Sequence, residues 1–299
     1  MEVFWLGQQA CHDISLVGGK AANLSCLFSQ NKVPPGFCLS APFQEVEPLI
    51  QSVDEPDRSR TNSTMLQSII KPAYDELSKL VGVEAVDVAV RSSSTEEDSK
   101  NASFAGQHET YLNVVGMELI VEAVTRCFAS FTSPQAIDYR KRKGLPIEES
   151  RLSVLVQQQV RSDVSAIIFS ANPSSGDLGE VVINASWGLG ESIVSGIVTP
   201  DTYIVRKTDK SILSRQIAEK LRMTVRVPGG IKQVDVPRVL QNEPCIKDEQ
   251  VKEMAQLALA LEKTQGWPVD IECTYQAKDL FLLQCRPITS LAPKGQNPA

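Results

Sequence analysis

A β-prone run, Val88-Ala89-Val90, ends in Arg91 and opens straight into three serines, Ser92 to Ser94. The acidic Glu96-Glu97-Asp98 follows, then the small-residue turn Ala102-Ser103-Phe104-Ala105-Gly106-Gln107 and a second β-like run, Tyr111 to Val115. This segment demands a strand that carries a permanent charge out of an apolar interior. A guanidinium beside small residues whose backbone N–H groups can be approached closely is suited to holding phosphate, through Arg91 and the turn at Gly106 and Gln107. The same pattern also suits an arginine that caps a polar hairpin.

The composition admits few exotic classes. Of 299 residues, 42% are hydrophobic and 22% charged, as in an ordinary globular protein. The net charge of −6, without a basic tail, argues against nucleic acid as the main partner, because phosphate backbones call for clustered Lys and Arg. No apolar run reaches the roughly 20 residues of a membrane span. The N-terminus lacks a basic region followed by an apolar core, so no secretory signal is expected. Seven cysteines, an odd number without a C-x-x-C pair, are expected as reduced thiols in the cytoplasm. The two histidines, His12 and His108, are too few for a histidine-based metal site within the chain.

The periodicity predicts an α+β protein with two lobes. Residues 1–40 read as strand, Gly-Gly turn, helix and loop. Residues 51–64 read as a polar, mobile loop, and 65–81 as a helix with a break or kink at Pro72. Residues 117–143 read as one or two helices stopped at Gly144. A polar connection at 144–150 predicts lobes of 1–150 and 151–291, with a disordered tail over 292–299. In the second lobe β-runs are expected at 152–160, 166–169, 181–185 and 203–207. An amphipathic helix is expected over Asp248 to Gln265 and a final strand pair at 269–275 and 280–286.

That last hairpin carries the sharpest geometric expectation. Alternation puts Asp270 and Glu272 on one face of the first strand and Ile271 and Cys273 on the other. Gln284 and Arg286 share a face of the second. A four-residue turn can bring the polar faces together, so that Glu272 and Gln284 offer two oxygen ligands suited to Mg²⁺ beside Arg286. A solvated polar face on an edge hairpin is the plainer alternative. The Gly18-Gly19-Lys20 turn at a helix start frees N–H groups for an anion and adds a point charge. Such turns also serve merely as caps, and the Walker A pattern is absent.

Taken in order, these segments resemble one family. Val88 to Asn113 resembles the VRSSAxxED…ASFAGQxxTYLN block of the ATP-binding domain of pyruvate phosphate dikinase, phosphoenolpyruvate synthase and rifampicin phosphotransferase. Val17 to Leu24 with Val33 to Phe37 resembles its VGGKxxNL…VPxGF opening, and Asp270 to Cys273 with Gln284 to Thr289 its closing DIE…QSRPIT pattern. The Asn172-Pro173-Ser174-Ser175-Gly176 and Trp187-Gly188-Leu189-Gly190-Glu191 stretches match further blocks. The resemblance implies a bilobal ATP-grasp fold with mixed or antiparallel sheets and flanking helices, and Mg·ATP between the lobes. It implies that Lys20, Arg91 and Arg286 neutralise phosphate charge and that Glu272 and Gln284 hold the metal. Gln157 or Gln158, in the run Val154 to Val160, is implied to read the adenine. Glu191 is implied to lie near phosphates or metal, with a helix cap as the alternative.

Full-length relatives carry the phosphoryl group on a histidine in a T/S-H-x-A type motif. Neither His12 nor His108 matches it. The resemblance therefore implies an ATP-dependent phosphotransferase that passes the β-phosphoryl group to a histidine on a separate phosphohistidine-domain subunit. The final small-molecule acceptor would bind elsewhere, as in split phosphotransferases acting on phenolic compounds. Two rivals stay open: an ATP domain excised from a rifampicin phosphotransferase or phosphoenolpyruvate synthase, and a non-catalytic nucleotide sensor.

Overall fold

The computed structural model describes residues 1–51, 56–94, 109–144, 146–289 and 291. The turn bearing Gly106 and Gln107, His108, and the expected tail at 292–299 lie outside the described residues. The architecture is α+β, and the chain divides into two compact units, Met1–Gln159 with Pro228–Gly230, and Val160–Val227 with Ile231–Ala299. The sequence reading put the division at 150/151. Here it follows Gln159, because the strand spanning 151–158 is the central partner of the first sheet.

In chain order the first unit holds β1 (Glu2–Trp5), α1 (Ile14–Leu27), β2 (Gly36–Pro42), α2 (Phe43–Gln51), α3 (Pro56–Val81), β3 (Val88–Ser93), β4 (Thr110–Val114), α4 (Met117–Ser130), α5 (Pro134–Lys143) and β5 (Arg151–Gln158). The strands form one antiparallel sheet in the order β1-β2-β5-β3-β4. Alternation sorts its faces. Phe37, Leu39, Val88, Val90, Leu152, Val154 and Val156 enter a core with Leu66, Ile70 and Leu77 of α3 and Ile120, Val124 and Phe128 of α4. The alternate residues, Cys38, Ser40, Ser93 and Ser153, turn to α1 and bond its backbone carbonyls.

Two expectations are corrected here. Residues 56–64 are helical, not loop, since α3 begins at Pro56 and Asn62 is tied to the Pro48 carbonyl at 3.1 Å. Of the break or kink expected at Pro72, the break does not occur: the helix runs through the proline, which sits on its exposed side, where water can satisfy the carbonyl left without a donor. The stop of α5 agrees with the sequence: Ser133 caps its start and Gly144, left-handed at φ 67°, its end.

The second unit runs β6 (Val164–Phe169), β7 (Glu180–Trp187), α6 (Glu191–Val194), β8 (Asp201–Arg206), β9 (Ile212–Gln216), β10 (Arg222–Val227), β11 (Gly230–Asp235), α7 (Asp248–Gln265), β12 (Val269–Gln276) and β13 (Asp279–Pro287). Six strands form an antiparallel sheet in the order β13-β12-β6-β7-β8-β9, while β10 and β11 pair separately. One face is apolar. Ile168, Ile183, Ala185, Tyr203, Ile271 and Cys273 are buried there, as are Val251, Met254, Ala255, Ala258 and Leu261 of α7. The Tyr203 and Tyr275 hydroxyls bond the Ile246 carbonyl and Glu253 at the start of and within that helix layer. The strands β9 and β11 carry no alternation that would announce them, whereas β10 alternates polar and apolar residues from Arg222 to Val227; β9 is almost wholly exposed. Among the described residues no helix is long and apolar enough to cross a membrane.

Candidate functional site

The candidate residues fall into two groups, one in each unit. In the first, Asp13 caps the start of α1, its carboxylate accepting the Ser15 N–H at 2.8 Å. The helix is then interrupted at Gly18, with φ 76° and ψ 167°. A Cβ built there would stand 2.2 Å from the Ser93 carbonyl oxygen, so only glycine permits the approach. The approach is sealed by hydrogen bonds. Gly19 N–H donates to the Ser94 carbonyl at 2.9 Å, and Ser93 Oγ donates to the Val17 carbonyl at 2.7 Å while accepting from Ala21 N–H at 3.1 Å. Lys20, 4% exposed, turns its ammonium onto the Ser92 carbonyl at 2.9 Å.

The Gly-Gly-Lys turn and the Arg-Ser-Ser-Ser strand are thus one structure. Arg91 is half-buried on the α1 face of the sheet, opposite Leu155, and its neighbour in sequence receives the Lys20 ammonium. Sequence reasoning named Lys20 and Arg91. It missed the role of Ser92, Ser93 and Ser94 in fastening the turn, whose only signal was the unusual triple serine. Gln157, on the same face as Arg91, has its amide donated to the Pro34 carbonyl at 3.0 Å and is 2% exposed. That bond ties the Pro34-Pro35-Gly36 loop to β5. Gln158 is partly exposed, its backbone N–H held by Pro35.

In the second unit the hairpin pairs the expected residues directly: Asp270 opposite Arg286, Ile271 opposite Cys285 and Glu272 opposite Gln284. Arg286 Nε donates to Asp270 Oδ2 at 2.9 Å. The expected four-residue turn is tighter, since Gln276 pairs with Asp279 and leaves only Ala277 and Lys278 between. The Ala277 N–H is held by Asp163 Oδ2 at 2.6 Å. A β-bulge follows Glu272, after which Cys273 faces Leu282, so Leu283 is the extra residue. The bulge keeps Gln284 and Arg286 on the polar face while Leu282, 1% exposed, and Cys285, 2% exposed, fill the core. Burial pushes the Cys273 thiol up, as expected of a packed, unreactive cysteine.

Asp270, whose carboxylate the sequence reading placed beside Glu272 without a role, belongs to this group. Its Oδ1 is buried and has no hydrogen-bond partner. Burial raises its pKa, the Arg286 guanidinium pulls it back down, and the Glu272 charge raises it again. Among the described residues no three His, Cys, Asp or Glu side chains cluster as a metal cage. The donor set is instead two carboxylates and an amide, all oxygen, with one carboxylate oxygen unclaimed. That chemistry fits a hard cation such as Mg²⁺. Glu191 is exposed at the first position of α6, a helix of four residues.

The chain has relatives among known proteins. Residues 44–299 match the family described as "Pyruvate phosphate dikinase, AMP/ATP-binding domain". The chain is similar to a probable phosphoenolpyruvate synthase of Methanocaldococcus jannaschii, 36% identical over 97% of this chain and 27% of that protein. It is 37% identical to the phosphoenolpyruvate synthase of Pyrococcus furiosus over 96% of this chain and 44% of the relative. To the rifampicin phosphotransferase of Streptomyces sviceus it is 35% identical, over 94% and 35% respectively. The chain therefore spans less than half the length of these curated relatives.

Proposed function

The chain belongs to the pyruvate phosphate dikinase AMP/ATP-binding domain family, and from that premise we propose that it binds Mg·ATP and positions the nucleotide for transfer of its β-phosphoryl group to a histidine. The observation that carries the reading is the hairpin register, with Glu272 opposite Gln284 and Arg286 opposite Asp270 on one face. Glu272 and Gln284, with Asp270 on the same strand face, would hold the metal. Mg²⁺ bound there supplies charge neutralisation across phosphate oxygens. Arg286 is a phosphate ligand of the second unit, and Lys20 and Arg91 are the phosphate ligands of the first. Gly106 and Gln107, outside the described residues, are kept as phosphate candidates on the sequence alone, Gln157 or Gln158 is the candidate for the adenine edge, and Glu191 is kept as a lesser candidate near the phosphates.

Phosphoryl transfer asks little covalent chemistry of the protein, so the residues act by orientation and by fixed positive charge where negative charge builds. The imidazole nitrogen forms a bond to the β-phosphorus as its bond to the AMP oxygen breaks, and water then takes the γ-phosphoryl group as phosphate. Over the full cycle, ATP, water and acceptor give AMP, phosphate and phosphorylated acceptor. We assign the histidine to a cytoplasmic partner subunit that carries a phosphohistidine domain, and the final acceptor to a small organic molecule, with phenolic compounds as one class. The coverage of 27% to 44% of the longer relatives favours a second reading, in which that histidine lies in a further part of the same polypeptide.

The test is labelled ATP offered to residues 1–299 alone, to a phosphohistidine-domain chain alone, and to both. The expected result is AMP formation, with acid-labile phosphate on the partner, only in the mixture. Robust AMP formation by residues 1–299 alone contradicts the assignment, since water is a poor substitute for a positioned imidazole.

A further inference from the structure

The register that pairs Glu272 with Gln284 continues across the whole sheet of the second unit. Glu272 lies opposite Ile167, Ile167 opposite Asn184, and Asn184 opposite Thr202. Directly opposed residues of antiparallel strands project from the same face. Gln284, Glu272, Ile167, Asn184 and Thr202 therefore form a single row on the face away from α7. Asn184 is two strands from Glu272, about 10 Å at the usual inter-strand spacing. It is partly exposed, as are Glu272, Ile167 and Thr202.

Asn184 is also oriented. Thr202 Oγ1 donates to Asn184 Oδ1 at 2.9 Å. With the carbonyl end of the amide so engaged, its two N–H donors lie at the other end. Thr202 is in turn fixed by its neighbour. Asp201, fully buried, accepts from Lys220 Nζ at 2.6 Å, Ala218 N–H at 3.0 Å and Cys245 N–H at 2.9 Å. Lys220 is equally buried and gives a further hydrogen bond to the Ala218 carbonyl at 2.9 Å. Desolvating such a pair costs several kcal/mol per ion and returns little net stability. What it does supply is a rigid start to β8, with two loops fastened to the residue before Thr202.

We propose that Asn184 Nδ2 is a hydrogen-bond donor to the phosphate chain of the nucleotide, with Thr202 and the Asp201–Lys220 pair as its positioning groups. The proposal rests on the reading that Mg·ATP binds at Glu272 and Gln284. The row supplies the logic: metal-binding oxygens at one end, an apolar residue between, and a neutral N–H donor aimed along the same face. An N–H donor to an anionic oxygen is about twice as strong as a neutral pair, and it adds no charge that would hold product.

The experiment titrates Mg·ATP, Mg·ADP and adenosine into residues 1–299 and into variants whose melting is followed in parallel. Asn184→Asp replaces the donor with an anion of the same shape and should weaken Mg·ATP binding at least about tenfold, with adenosine changed less than about twofold. Asn184→Ala should weaken Mg·ATP binding roughly threefold to tenfold. Thr202→Val should weaken it by a smaller factor, and Thr202→Ser, which keeps the hydroxyl, should restore it. A folded Asn184→Asp variant that binds Mg·ATP within about twofold of the parent, while Glu272→Ala loses it, would overturn the proposal and leave the parent reading standing. Equal losses for adenosine and Mg·ATP would overturn it too, since the residue would then act on the fold. Failure of the parent protein itself to bind Mg·ATP would overturn both.

Discussion

The two candidate groups are built in opposite ways. In the first unit the Lys20 ammonium meets the Ser92 carbonyl across 72 residues of chain. In the second, Arg286 meets Asp270 across 16, through one tight turn. The first corner exists only if a helix, a glycine turn and the middle of a sheet dock correctly. The second follows from a hairpin register that a short stretch of sequence dictates. A site assembled from distant segments concentrates its vulnerability in the few atoms that allow close approach, whereas a hairpin site spreads it along a ladder.

The largest expected effect strikes that point of approach. Gly18 and Gly266 share φ 76°, but a Cβ at Gly18 would meet Ser93 at 2.2 Å, whereas nothing lies within 4 Å of one at Gly266. Gly18→Ala should therefore cost at least ~3 kcal/mol, from backbone strain plus overpacking. Gly266→Ala should cost only about 1–2 kcal/mol, the ordinary penalty of a left-handed residue. Urea unfolding of the two variants measures the difference, and equal losses would mean that the helix-to-strand approach is not what holds the first corner.

A smaller effect is expected at Ser93, whose hydroxyl both donates and accepts in the interior. Ser93→Ala leaves the Val17 carbonyl and the Ala21 N–H without this partner and should cost about 2 kcal/mol. Its nucleotide affinity should fall with it, because the same bonds seat Lys20. A loss of stability with ATP affinity unchanged would separate the turn from the site and break the comparison.

The contrast also explains what could be read in advance. The hairpin faces, the burial of Cys273 and Cys285, and the span of α7 up to Gly266 follow from alternation and helical spacing, which are local. The Leu283 bulge does not, since nothing in an apolar run of four marks which residue is extra. The helical state of 56–64 was hidden by a polar composition that favours loops in isolation. The role of Gln157 was hidden because its partner, Pro34, is 123 residues away. The α+β class was legible throughout, whereas β9, β10 and β11 were not; β9 and β11 expose most of their side chains.

The most direct test of the central claim, that the residues of each corner contribute to Mg·ATP binding, is a calorimetric titration of ATP and adenosine with and without Mg²⁺, in parent, Arg91→Ala and Glu272→Ala proteins. The account predicts one equivalent of Mg·ATP bound by the parent. It predicts at least about tenfold weaker binding in each variant, ~1.4 kcal/mol, with the benefit of Mg²⁺ lost only in Glu272→Ala and adenosine binding unchanged in Arg91→Ala. Adenosine affinity falling as far as that of ATP in Arg91→Ala, or undiminished Mg·ATP binding in Glu272→Ala, would contradict it.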